Sequence, residues 1–323
     1  MESFEDRIAV ITGGGTGMGR ELARKLAAAG CHVAMCDVIA ENMEQTRKLC
    51  LQESSGVRIT THVADVSSES DLERFRDEVM REHETDCVHL VFNNAGIGAP
   101  GSIVDGDRAV WERTFDICWY GVYYGTRVFL PLLLAAEEGA VVNTSSVNGF
   151  WATLGPSIAH TSYSSAKFAV KGFTEALIND FKLNAPHLSA HVVMPGHIGT
   201  SIITNSGKAL GRDPKEMSDE EMQAAREAME ARGIELGNAT NEQLRQALLM
   251  QAEAFRDEAP TTAGEAATVI LDGVRAGQWR ILVGDDAHVL DRLVREDPEG
   301  AYTEAFYERL TQSTNWQLGE LKV

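Results

Sequence analysis

The sequence predicts an α/β fold in which a doubly wound parallel sheet carries helices on both faces, and three observations predict it. Short β-branched runs alternate with longer segments of helical period. A glycine-rich turn, Thr12-Gly13-Gly14-Gly15-Thr16-Gly17-Met18-Gly19, joins the first such run to the first helical segment. An acidic residue, Asp37, closes the second run, which makes the opening a Rossmann-type unit.

Taken in order, residues 7–11 read as the first strand, and a helix follows the turn to about Ala29. Gly30 ends that helix, as a residue tolerant of positive φ does. Residues 32–36 form a second strand and 41–52 an amphipathic helix. Runs at 57–63, 88–92 and 140–144 repeat the strand pattern, with helices over 69–82 and 111–136 between them. A helix over 161–183, a buried strand at 189–194, a helix over 265–275 and a last strand at 280–283 complete the sheet. The rhythm breaks between Thr204 and Pro260, where Glu, Met, Gln and Ala dominate and no strand signal occurs. Met217, Met222, Met229, Leu236, Leu244, Leu248 and Leu249 there suit amphipathic helices over something apolar. This insertion, 204–260, is either a solvated excursion that adds stability or a lid on the substrate side. The lid reading draws on its position after a strand's carboxyl end, where open α/β sheets bind ligands. Residues 285–323 read as a helical tail, and 1–323 as a single dinucleotide-binding domain.

With 323 residues, 44% hydrophobic and 24% charged, the chain can bury a sizeable core. Its net charge of −19 argues against nucleic acid or an anionic membrane as partner. Five cysteines (Cys31, Cys36, Cys50, Cys87, Cys118) without metal-type spacing fit a reducing compartment, each thiol serving as a small hydrophobe. The acidic start runs directly into a strand, and the longest apolar stretch, 128–136, is interrupted by Pro131 and too short to span a bilayer. The cytoplasm is the expected location.

The glycines let the backbone turn sharply and approach a pyrophosphate, which then meets a helix N-terminus. Asp37 can accept hydrogen bonds from adenosine ribose hydroxyls. The same carboxylate would repel a 2′-phosphate by roughly 4 kcal/mol at about 4 Å and an effective dielectric near 20. No lysine or arginine lies in the turn or directly after Asp37, where Val38 follows, so NAD(H) is expected over NADP(H).

Tyr163-Ser164-Ser165-Ala166-Lys167 opens the helix over 161–183, and residues four apart share a helix face. An ammonium beside a phenol favours the phenolate, which would make Tyr163 a general acid and base. Upstream, the strand Val141-Val142-Asn143-Thr144 ends in Ser145-Ser146, hydroxyls at the ligand edge of the sheet or else turn residues.

Together these motifs resemble the short-chain dehydrogenase/reductase family, in its compact single-domain branch, over residues 8–200 and more loosely 265–283. The resemblance implies catalytic roles for Ser146, Tyr163 and Lys167. It also implies cofactor contacts from Gly13, Gly17, Met18, Gly19, Asp37, Val38, Asp65, Val66, Asn94, Ala95, Gly96, Tyr163 and Lys167. Pro195-Gly196-His197-Ile198-Gly199-Thr200 matches the stretch with which the family holds the nicotinamide, so Pro195, Gly196, Ile198 and Thr200 join that set. The implied reaction is NAD(H)-dependent interconversion of a secondary alcohol and a ketone. Tyr163 moves the hydroxyl proton, Ser146 orients the oxygen, and Lys167 lowers the tyrosine pKa and binds ribose; no metal is expected. The implied assembly is a homodimer or homotetramer through the helices over 111–136 and 161–183, with a small-molecule alcohol or ketone as the other partner.

Two departures stand out. Cys118 occupies the position where the family usually has an asparagine that helps hold a water relaying protons to the lysine. A thiol is a poorer hydrogen-bonding group. The segment between Ser146 and Tyr163 is also a few residues longer than usual and carries Phe150, Trp151, Leu154 and His160. It reads either as an aromatic wall of the substrate pocket or as plain packing. A sizeable apolar substrate is the expectation. The rival readings are a non-catalytic dinucleotide-binding protein and a lyase or epimerase.

Overall fold

The computed structural model describes residues 1–318 other than 55, 100, 157, 232–235, 315 and 317. Part of the predicted insertion, 232–235, and the end of the predicted tail, 319–323, lie outside the described residues. Apolar runs become strands where both of their faces are covered, as along Ile8–Thr12 and Leu90–Asn93. The strands are β1 (Ile8–Thr12), β2 (His32–Asp37), β3 (Ile59–Val63), β4 (Leu90–Asn93), β5 (Gly139–Thr144), β6 (Leu188–Pro195), β7 (Ile198–Gly199), β8 (Thr261–Thr262) and β9 (Arg280–Val283). Seven of them form one parallel sheet in the order β3-β2-β1-β4-β5-β6-β9. The order reverses between β1 and β4, which opens the crevice where doubly wound sheets bind ligands.

The helices are α1 (Gly17–Ala28), α2 (Ala40–Glu53), α3 (Glu69–His83), α4 (Arg108–Phe115), α5 (Gly121–Leu134), α6 (Thr161–Asn184), α7 (Ile202–Ala209), α8 (Asp219–Ala231), α9 (Asn241–Asp257), α10 (Ala263–Arg275), α11 (Asp285–Glu296) and α12 (Glu304–Ser313). The period of two along β1 divides the core. Ala9 and Ile11 pack with Leu22, Leu26, Ile270 and Leu271 on one face. Ile8 and Val10 pack with Phe75, Phe129, Leu133 and Phe181 on the other.

The structure corrects several boundaries. The helix expected over 111–136 starts at Arg108, where Asp107 accepts from the Ala109 N–H at 2.9 Å. It then passes through a π-helical turn, Asp116–Tyr120, before α5. The third strand begins two residues later than the β-branched pattern suggested, at Ile59. β7 and β8 carry no sequence signal; each is two residues long and exists only because the other pairs with it.

Helices α7, α8 and α9 fill the insertion. Met222, Leu236 and Leu244 are buried there, with Met217, Met229 and Leu248 packed around them, so the methionine-rich segment has a small core of its own. Leu249 is only partly buried. The aromatic segment before α6 also resolves between its two readings. Trp151 is 1% exposed, and its indole donates to the Ala301 carbonyl at 2.7 Å. Its ring lies 5.8 Å from Phe306 and 5.7 Å from Trp316. Phe150 and Leu154 join that cluster, so these residues seat the C-terminal helices rather than line a pocket.

A buried polar chain ties β3 to α3. His62 meets Glu78 at 2.8 Å and Thr60 Oγ1 at 2.9 Å, while His83 Nε2 lies 3.0 Å from the same hydroxyl. With His62 Nδ1–H donating to Glu78, the threonine hydroxyl donates to His62 and accepts from His83 Nε2–H. Burial lowers the His83 pKa from 6.5 to about 4. As pH falls below 6.5 the unfolded chain takes up this proton first, so stability present above that pH is lost progressively toward pH 4. Urea unfolding at pH 7.5 and 4.5 is expected to show a loss of about 2 kcal/mol from this group. His83→Gln should shrink the loss by that amount; an unchanged loss would assign it elsewhere.

Candidate active site

The glycine turn is built by close approach. Gly13 (φ 68°) and Gly17 (φ 54°) adopt the left-handed region that a side chain would strain. A Cβ on Gly13 would stand 2.8 Å from Ala95 Cα, and one on Gly19 would collide with the Gly13 carbonyl oxygen. Thr16 precedes α1 without a side-chain cap, and no acidic residue occupies the first turn, so the helix N-terminus is left for an anion to meet. The Thr12 hydroxyl accepts from the backbone N–H groups of Asn94 (3.1 Å) and Ala95 (3.0 Å). Asn94 Nδ2 in turn donates to the carbonyls of Thr12 (3.1 Å) and Gly13 (3.3 Å). Asn94 therefore braces the turn with its side chain, while Ala95 and Gly96 line the crevice as backbone.

Asp37 ends β2 beside the turn. Its Oδ2 accepts from Gly15 N–H and its Oδ1 from Ile39 N–H, each at 3.1 Å. Burial nevertheless pushes its carboxyl above the usual range. Val38, next in sequence, is 52% exposed. Arg20 reaches this turn from α1, a contact the sequence did not reveal. Its guanidinium is committed to the Gly15 carbonyl (2.6 Å), Thr46 Oγ1 (3.1 Å) and Gln45 Oε1 (2.9 Å). Asp65 is bound by Arg113 at 2.6 Å and by the Ser67 hydroxyl at 2.7 Å. Burial opposes its ionisation, but these bonds prevail and hold its pKa below normal. Val66 is buried against Gly121, where a Cβ would approach its Cγ2 to 2.7 Å.

On the other side of the crevice, α6 carries Tyr163 and Lys167 one turn apart. Lys167 is 2% exposed; its Nζ donates to the Thr144 carbonyl at 2.9 Å and lies 5.4 Å from the Tyr163 ring centroid. The two serines after β5 separate in role. Ser145 Oγ donates to the Lys167 carbonyl at 2.7 Å and fastens α6 to the sheet. Ser146 Oγ accepts from Asn148 N–H at 3.1 Å and is near enough to the Tyr163 phenol to lower its pKa. His160, before α6, packs its ring 4.8 Å from that of Tyr163. Burial holds the His160 pKa down at about 4, so the ring is neutral near pH 7.

The electrostatics differ from the sequence expectation. Burial raises the Tyr163 pKa above its usual value, with Cys118 adding to the rise and the Ser146 bond opposing it. Burial also lowers Lys167. An ammonium held by a carbonyl and set over the ring acts less on the phenol oxygen than one beside it would. Tyr163 is thus a protonated acid in this state. Cys118 sits in the π-helical turn, fully buried, with its thiol donating to the Ile97 carbonyl at 3.2 Å. A Cβ on Gly96 would lie 3.5 Å from Lys167 Nζ and 3.8 Å from Cys118 Sγ, so all three share one end of the crevice.

The stretch from Pro195 to Thr200 crosses from the end of β6 to the glycine turn. Thr200 Cγ2 would stand 3.0 Å from a Cβ on Gly17, and Ile198 is buried in β7. The insertion also reaches the site, through residues that composition gave no reason to single out. Asn205 Nδ2 donates to Thr16 Oγ1 at 2.8 Å, and Ser206 Oγ accepts from Gly98 N–H at 2.8 Å. Among the described residues no group of three or more His, Cys, Asp or Glu is placed to hold a metal.

A dinucleotide fits this crevice: an uncapped helix N-terminus adjoins glycines whose Cβ positions neighbouring atoms already fill. The described family of short chain dehydrogenases matches residues 7–211. SadH of Mycobacterium tuberculosis is 32% identical over 296 residues, covering 91% of this chain and 92% of its own. Levodione reductase of Leifsonia aquatica is 31% identical over 223 residues, covering 68% and 80%. Among solved structures, a short chain dehydrogenase/reductase from Burkholderia phymatum in complex with NAD superposes with a TM-score of 0.73 at 27% identity, covering 94% of this chain and 98% of its own.

Gly19→Ala is expected to raise the Kd for NADH at least tenfold, because its methyl group needs the space of the Gly13 carbonyl. Fluorescence titration checks this, and an unchanged Kd would remove the turn from the binding site.

Proposed function

The chain belongs to the short-chain dehydrogenase/reductase family of oxidoreductases, and from that premise we propose that it interconverts a secondary alcohol and a ketone with NAD(H). The observation that carries the reading is the meeting of Ser146, Tyr163 and Lys167 at the same sheet edge as the glycine turn. In the reductive direction Tyr163, protonated and partly buried, donates its proton to the carbonyl oxygen, while Ser146 orients that oxygen. In the oxidative direction the same phenol receives the hydroxyl proton. Bound NAD(H) supplies the hydride donor or acceptor, chemistry that belongs to the cofactor. Lys167, held by the Thr144 carbonyl beside the Tyr163 ring, contributes a donor for ribose hydroxyls. Acid–base assistance of this kind is worth about 10²- to 10⁴-fold.

Asp37 supports NAD(H) over NADP(H), since a 2′-phosphate would meet a carboxylate. Asp65, Val66, Asn94, Ala95 and Gly96 would flank the adenine and the middle of the cofactor. Pro195, Gly196, Ile198 and Thr200 would hold its nicotinamide end. The insertion serves as a substrate-side cover, a role supported by Asn205 and Ser206 reaching the crevice. Aromatic rings run along α4 and α5 from Trp111 and Phe115 to Trp119, Tyr120 and Tyr124, with Phe173 of α6 beside them. Such a face supports a homodimer or homotetramer. Free cysteines and the absence, among the described residues, of a helix long and apolar enough to cross a membrane accord with a cytoplasmic enzyme.

Tyr163→Phe should abolish turnover of a secondary-alcohol panel, followed by nicotinamide absorbance, while NADH binding stays within about twofold. Turnover that persists would take Tyr163 out of the chemistry. Asp37→Ser should narrow the ratio of kcat/KM for NAD over NADP by roughly tenfold, about 1.4 kcal/mol; a wild-type preference for NADP would contradict the carboxylate argument.

A further inference from the structure

The stretch from Pro195 to Thr200 is gripped from two sides by residues beyond the matched 7–211. On the core side stands Asp286, in the first turn of α11 and 7% exposed. Its Oδ2 accepts from the His197 N–H at 2.7 Å and its Oδ1 from the Ala287 N–H at 2.9 Å. Gly196 leaves the space this carboxylate fills, for a Cβ there would collide with both carboxylate oxygens. On the outer side the His197 imidazole hydrogen-bonds through Nε2 to the Phe255 carbonyl at 2.8 Å, and its ring lies 4.3 Å from that of Phe255, tilted 40°, near the end of α9. Its Nδ1 is buried with no partner among the described residues. β7 then pairs with β8, so the two ends of the insertion are joined directly after His197.

A buried carboxylate and a half-satisfied buried imidazole are both costly to retain. Here each fixes one side of a six-residue segment whose own backbone pairing, among the described residues, is the end of the β6–β9 ladder at Pro195 and Gly196 and the two-residue β7–β8 ladder. We infer that Asp286 and His197 are positioning residues that clamp this stretch between the sheet and the helical insertion, and so set the geometry of the nicotinamide end of the bound cofactor. The inference rests on the dinucleotide reading above. Among the described residues Asp286 hydrogen-bonds His197 and Ala287, not the glycine turn or Asp37, so it acts on the cofactor site through the Pro195–Thr200 stretch.

Two ligands separate this role from a general structural one: NADH, and ADP-ribose, which lacks the nicotinamide ring. Calorimetric titration of Asp286→Ala is expected to give a Kd for NADH about tenfold weaker, with the Kd for ADP-ribose within twofold of wild type. Asp286→Asn keeps one oxygen to accept the His197 N–H and should recover most of that loss, leaving about threefold. It also serves as the test variant should the alanine protein fail to fold. Parallel weakening of both ligands, or no weakening of NADH, in the folded variant overturns the inference. If the wild-type chain binds neither ligand, the dinucleotide reading falls, and the clamp falls with it.

Discussion

One buried ammonium organises the catalytic half of the molecule. Lys167 lies in an interior where its amino group needs a hydrogen-bond partner, and the Thr144 carbonyl at the end of β5 is that partner. The bond fixes the height of α6 against the sheet, and Ser145 repeats the constraint by binding the Lys167 carbonyl. With α6 fixed, Tyr163 can present its ring above the ammonium and its hydroxyl to Ser146. The same burial that holds the lysine raises the phenol pKa, so the enclosure that positions the acid also keeps its proton on.

A second polar network carries this order across the sheet. Asn93 Nδ2 donates to Thr126 Oγ1 and Asn143 Oδ1, and Asn143 Nδ2 donates to Thr174 Oγ1. These buried side chains join β4, β5, α5 and α6, and each demands its partner because water cannot replace it. Gly125 permits the close approach, since a Cβ there would occupy the position of Asn93 Oδ1. The helix that passes through the π-helical turn at Cys118 is thereby held to the same strands as the helix that carries Tyr163. Cys118 keeps the turn attached through the Ile97 carbonyl, a single weak thiol bond where the family's usual asparagine has more donors and acceptors.

The chain devotes its later part to enclosure. The insertion has its own small core, and it meets the rest of the molecule through polar contacts to the glycine turn and the segment after β4, through Ala209 and Leu210 on the main core, and through Phe255 against His197. The C-terminal helices are held differently, by Trp151 and Trp316 packed edge to face and by α11 lying under β9. The aromatic residues before α6 thus stabilise the tail. This leaves His160 as the member of that segment in contact with Tyr163.

The sequence by itself determined whatever depends on local spacing. The strand and helix rhythm, the glycine turn with Asp37, and Tyr163 one helical turn from Lys167 are short-range patterns, and periodicity records them directly. Tertiary structure decided whatever depends on residues far apart in the chain. Trp151 faces the tail because Ala301 and Phe306 come to it from 150 or more positions away. β7 and β8 are strands only because they pair with each other, and Asp286 reaches the Pro195–Thr200 stretch because β6 and β9 are neighbours in the sheet. The direction of the Tyr163 pKa belongs to the same class. Spacing shows that an ammonium is near, but only the folded interior decides how strongly burial acts against it.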